Sequence, residues 1–123
     1  MQYAMRRGDR QVSLPDEIEG IMKKCRVCRL GLFDEAGPYI VPLNFGYAVR
    51  EGHYTLYFHS AHEGRKIEAI RQNPRVAFEM DCAVEVYAAD AETPCTYSCR
   101  FESVMGEGRA RLLETHADKA AGL

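Results

Sequence analysis

The sequence predicts a mainly β domain, a small antiparallel barrel of six or so short strands with an N-terminal helix and one inserted helix. Three observations carry this. Segments rich in aromatic and β-branched residues recur at short intervals, turn residues punctuate them, and only two stretches have helical spacing. A parallel sheet would need strands and helices in regular alternation, which this chain does not show.

The elements follow in order. Ser13-Leu14-Pro15-Asp16 is a capping signature. Ile18, Ile21, Met22 and Cys25 follow at spacings of three, four and seven, predicting an amphipathic helix of about three turns. Val27 to Phe33 reads as a strand and Asp34-Glu35-Ala36-Gly37 as a turn. Pro38 to Ala48 is the next strand, and Arg50-Glu51-Gly52 turns the chain into His53 to Phe58. These three strands form a meander. Ser60 stands three residues ahead of Glu63, the capping-box arrangement, and Ile67 and Ile70 share the face of the helix that Asn73-Pro74 closes. Val76 to Met80 and Ala83 to Tyr87 are strand material, and Asp90 to Pro94 is a polar loop. Phe101 to Met105 and Arg109 to Leu113 extend on either side of a Gly106-Glu107-Gly108 break.

Composition bounds the function. The 123 residues make one domain, 1–123, and 46% apolar with 28% charged residues describes a soluble globular protein. A net charge of -2 gives no reason to expect nucleic acid or an acidic membrane as partner. No apolar run follows Arg6-Arg7, so no signal peptide is read, and no stretch approaches the roughly 20 apolar residues of a membrane span. A cytoplasmic location is expected.

Five cysteines without a secretion signal argue against a disulfide framework. Cys25-Arg26-Val27-Cys28 has the spacing of a metal knuckle, and Cys95 with Cys99 offers a second pair. The first pair runs from a helix end into an apolar strand, and the second includes the strand former Tyr97. No βαβ unit follows to make a redox pair. Thiols serving as small apolar side chains are the better reading.

Two local features point to a ligand. A helix start offers unpaired N–H groups and partial positive charge, and Arg65 and Lys66 add two cations where they oppose the macrodipole. An anion, most simply a phosphate, accounts for that arrangement, and a solvated helix start is the alternative. Pro42 sits inside a strand, where it forfeits a ladder donor. With Asn44 and Gly46 it marks either a bulge or a backbone edge turned toward a planar ligand. Gly106-Glu107-Gly108 is not a dinucleotide fingerprint, because strand rather than helix follows it. It marks a bulge or a close approach of backbone to ligand.

Four motifs in order carry a resemblance: Tyr39 to Tyr47, Leu56 to Ser60, Gly64-Arg65-Lys66, and Ser103 to Ala110. Over roughly residues 3 to 115 the chain resembles the pyridoxamine 5'-phosphate oxidase-like flavoproteins, most of all their nitroimidazole-resistance type. The resemblance implies an FMN-binding split β-barrel and a homodimer holding FMN at each subunit interface. It places Val41, Pro42, Leu43 and Asn44 along the isoalloxazine, and His59 and Ser60 at the ribityl chain and phosphate. Arg65 and Lys66 pair with the phosphate, while Ser103, Val104 and Gly106 approach from around the interface. His59 is the residue implied to face substrate, the one candidate for a catalytic role.

The chemistry so implied is the cofactor's: electrons pass from a reduced nicotinamide cofactor to a small acceptor such as a nitroaromatic. Vitamin B6 oxidation is not expected, since the C-terminal basic segment that grips that substrate is missing. Thr115-His116-Ala117-Asp118 resembles another capping box, yet only five residues follow. The expectation is a truncated C-terminal end, or completion by a partner. Two other readings compete. A non-enzymatic flavin- or haem-binding protein on the same fold would draw on His53, His59, His62 or His116. A zinc-stabilised interaction module would draw on the cysteines.

Overall fold

A proline with its φ already helical opens the first helix, α1 (Pro15–Lys24), with Asp16 and Glu17 in the first turn and Lys23 and Lys24 in the last. The computed structural model describes residues 11–61, 63–88 and 97–113. Ser13 does not cap α1: the N-cap position is Leu14, and no side chain bonds the first turn. Ile21, Met22 and Cys25 are buried, as the helical spacing predicts.

The strands are β1 (Val27–Asp34), β2 (Gly37–Arg50), β3 (His53–Phe58), β4 (Arg75–Ala88) and β5 (Tyr97–Arg109), with α2 (Arg65–Gln72) between β3 and β4. They form one antiparallel sheet in the order β3-β2-β1-β4-β5, which is not closed. The first three strands are the meander expected. Asp34 Oδ1 accepts from the Ala36 N–H at the first hairpin, 2.9 Å away. At the second, Glu51 and Gly52 take φ of 52° and 80°, the left-handed pair that suits a two-residue hairpin turn.

Five strands rather than six are present among the described residues. Val76 to Met80 and Ala83 to Tyr87 belong to one strand, β4, interrupted only by an irregularity between Cys82 and Glu85 where Ala83 takes φ 53°. Likewise β5 runs unbroken through Gly106-Glu107-Gly108, each residue paired with β4. The bulge therefore lies at Ala83, where no glycine signals it.

Both helices cover the same face of the sheet. Under α1, Ile21, Met22, Cys25, Cys28 and Met80 form one buried cluster. Under α2, Leu30, Leu32 and Ala69 form another, and Phe58 and Phe78 touch both. Desolvation pushes the Cys25 thiol up to about 12 and that of Cys28 up to about 11. They behave as packed apolar groups. The opposite face carries Arg29, which bonds Glu79 at 2.9 Å and Asp81 at 3.1 Å. Around that cluster Phe33, Ile40, Phe101 and Met105 stand exposed.

Candidate functional site

The site is built on the outer edge of β2. In an antiparallel ladder successive residues bond to one neighbour and then the other. Arg50 and His53 flank the two-residue turn and pair across it, so even-numbered residues of β2 direct their backbone groups away from β1. Pro42 is one of these, opposite Arg29, and its missing donor costs the β1 ladder nothing. Pairing with β3 stops at Phe45 and Phe58. Beyond that point Ile40, Pro42 and Asn44 direct backbone groups to a side where no described strand lies. Odd-numbered Val41 and Leu43 put their side chains into the α2 cluster, while Pro42 and Asn44 are exposed on the other face.

His59 follows β3 directly, and one further step of the register sets it opposite Asn44. Both His59 and Ser60 are exposed. Ser60 is not the cap of α2: its hydroxyl donates to the Ala61 carbonyl at 3.1 Å, and the helix starts later, with Gly64 at the N-cap. Gly64 has φ 133° and ψ 174°, a conformation open essentially to glycine alone. No side chain caps α2, so the first N–H groups of the helix are unpaired by it.

Arg65, which the resemblance implies pairs with a phosphate, is also held within the chain. Its Nε and Nη2 donate to Asp34 Oδ2 and Oδ1 at 2.7 and 2.9 Å, and its guanidinium lies 3.8 Å from the centre of the Tyr39 ring. Asp34 and Tyr39 thus belong to the site. Asp34 lies 31 residues from its partner, and no local spacing reveals the pair. The Tyr39 hydroxyl is buried without a hydrogen-bond partner. Lys66 is half-buried and makes no ion pair with a described residue.

The Arg65 guanidinium, with help from the Ala36 and Gly37 N–H groups, holds the Asp34 carboxyl below the usual carboxylate range. A lowered carboxyl pKa contributes stability above its unfolded value, about 3.9, that is lost as pH falls through the folded value. The Tm difference between the natural protein and Asp34→Asn is therefore expected to be larger at pH 7 than near pH 3. A difference unchanged across that range would contradict the pairing.

Ser103, Val104 and Gly106 are not brought to this edge. They lie on β5, with β1 and β4 in between. Three strand spacings separate them, about 14 Å. Ser103 pairs with Asp81 and Met105 with Glu79, on the open face, and Val104 packs on the α1 cluster. Gly106 does meet something closely, but it is the Phe78 ring: a Cβ there would lie 2.6 Å from Cε1.

Among the described residues no group of three or more His, Cys, Asp or Glu is placed to hold a metal ion. No helix among them is long and apolar enough to cross a membrane. His62, Cys95, His116, the Asp90 to Pro94 loop and the Thr115 capping signature lie outside the described residues.

The described residues thus form an open antiparallel sheet in which the outer edge of β2 is unpaired from Ile40 to Asn44 and leads to the uncapped start of α2. The chain belongs to the pyridoxamine 5'-phosphate oxidase family, whose model matches residues 15–123. No curated protein matches it significantly. Among solved structures it is similar to a candidate 5-nitroimidazole antibiotic resistance protein from Bacteroides thetaiotaomicron, at 33% identity and TM-score 0.72, over 90% of this chain and 63% of that one. A FAD-binding protein from Mesorhizobium loti is 29% identical with TM-score 0.57, over 89% and 69% of the two chains. A flavocytochrome from Azotobacter vinelandii shares the fold at 23% identity and TM-score 0.75, over 97% of this chain and 52% of its own. The chain thus spans less than two thirds of the first and last of these.

Proposed function

We propose that this protein binds FMN along the outer edge of β2 and passes electrons from a reduced nicotinamide cofactor to a small acceptor such as a nitroaromatic. The carrying observation is the unpaired stretch from Ile40 to Asn44 that lies between His59 and the uncapped start of α2. The donor set suits a phosphate: free N–H groups at α2, the Lys66 ammonium, and Arg65 Nη1, which Asp34 does not use. Family membership and the similarity to a FAD-binding protein support a flavin at this place.

When bound, FMN supplies hydride or single-electron transfer between donor and acceptor. The protein's part is to hold and orient. Backbone groups of Pro42 and Asn44 bond the ring edge, with Val41 and Leu43 fixing that strand to the core. Ser60 and Lys66 hold the ribityl phosphate end. His59, exposed beside Asn44, faces the substrate. In a homodimer the partner subunit brings Ser103, Val104 and Gly106, which within one chain lie about 14 Å from the β2 edge. Exposed Phe33, Ile40, Phe101 and Met105 give the open face an apolar surface for that contact.

Lys66→Ala removes one charge-assisted partner and is expected to weaken FMN binding about tenfold. Flavin fluorescence quenching on titration measures it. An unchanged Kd would remove the phosphate from the start of α2.

A further inference from the structure

At the other end of the β2 edge lies a cleft of about 580 Å³ lined by Lys23, Lys24, Cys25, Arg26, Asn44 and Phe45. Its size is that of a small-molecule site. Half of the lining residues are cations and none is a carboxylate, in a chain whose net charge is -2. Lys24 reaches out to Glu102, but Lys23 and Arg26 make no ion pair among the described residues. Lys23 and Lys24 do complement the C-terminal end of the α1 dipole. Arg26 does not share that explanation, since it lies beyond the C-cap Cys25 and adds a third cation to the same wall.

The cleft is tied to the proposed flavin edge. The Asn44 amide donates from Nδ2 to the Arg26 carbonyl at 3.1 Å, so one residue belongs to both. The edge itself runs from Tyr39, under the Arg65 guanidinium, to Asn44, a span of about 17 Å. A phosphate at α2 leaves the ring end of a flavin beside the cleft. A second ligand that must meet that ring, and that carries concentrated negative charge, finds its counter-charge there.

We propose that Lys23 and Arg26 bind the diphosphate of a reduced nicotinamide dinucleotide and so deliver its nicotinamide to the Asn44 end of the β2 edge. This rests on the flavin reading above. The test titrates ADP-ribose, which keeps the diphosphate and lacks the nicotinamide, into the FMN-loaded protein by calorimetry. The natural protein, Lys23→Ala/Arg26→Ala and Lys66→Ala are compared, with inorganic pyrophosphate as a second probe. Both cleft residues are exposed, so the double variant is expected to fold and keep its flavin.

The expected result is ADP-ribose binding that weakens at least about tenfold in the double variant at unchanged flavin content. Lys66→Ala should show the reverse, flavin loss without loss of ADP-ribose binding. Absent binding to the natural protein, or equal binding in the double variant, overturns the proposal. Pyrophosphate binding as tight as ADP-ribose overturns the assignment to a dinucleotide. ADP-ribose binding that depends on Lys23 and Arg26 in a protein that retains no FMN supports the cleft and overturns the flavin reading instead.

Discussion

Replacing Gly106 by alanine is expected to destabilise the domain by about 1–3 kcal/mol, although the residue adopts ordinary strand backbone. The added Cβ would lie 2.6 Å from Phe78 Cε1 and 2.7 Å from Cζ, far inside van der Waals contact. Flexible side chains swing away from such a clash, but this ring touches both core clusters. Moving it would open a void beside Met80 or Leu30. Urea unfolding of Gly106→Ala measures the loss, and Phe78→Leu in the same chain is expected to recover part of it. A variant of unchanged stability that nevertheless fails to hold flavin would assign the glycine to the ligand instead.

Met80→Ala is expected to show the largest loss of all, about 2–5 kcal/mol. Its side chain is fully buried opposite Cys28, beneath Ile21 and Met22 of α1. Truncation removes three heavy atoms from a place where sheet and helix backbones fix the walls, so the cavity closes only partly. A fall in Tm on the order of 10 °C is the expected reading in a thermal melt. A fall of only a degree or two would mean that α1 does not seal this part of the sheet.

Much of the fold was legible because hydrophobic spacing reports burial directly. Ile21, Met22 and Cys25 line the core face of α1, and the odd-numbered residues from Tyr39 to Tyr47 of β2 point inward, as their alternation implies. Polar signals were less faithful. Ser13 and Ser60 each precede a helix without capping it, since Pro15 and Gly64 set the two starts by backbone conformation. Punctuation and pairing disagree among the described residues: Gly106 and Gly108 stay in the ladder, while Ala83 leaves it.

The site divided the same way. Pro42 allowed either a bulge or an edge, and the regular β1 register with no β3 partner there leaves the edge, because a proline's missing donor is a local property. Arg65 was legible only as a cation at a helix start. Its hold on Asp34 and its place over Tyr39 depend on α2 packing against β1, which spacing along the chain does not encode. No spacing in the sequence singles out Lys23 and Arg26; the fold alone sets Asn44 beside them.

The measurement that bears most directly on the central claim is the visible absorbance of the purified protein after FMN has been added and the excess removed. A two-banded flavin spectrum retained in stoichiometric amount is the expected result. A colourless protein, or a Soret band in place of the flavin bands, would contradict it.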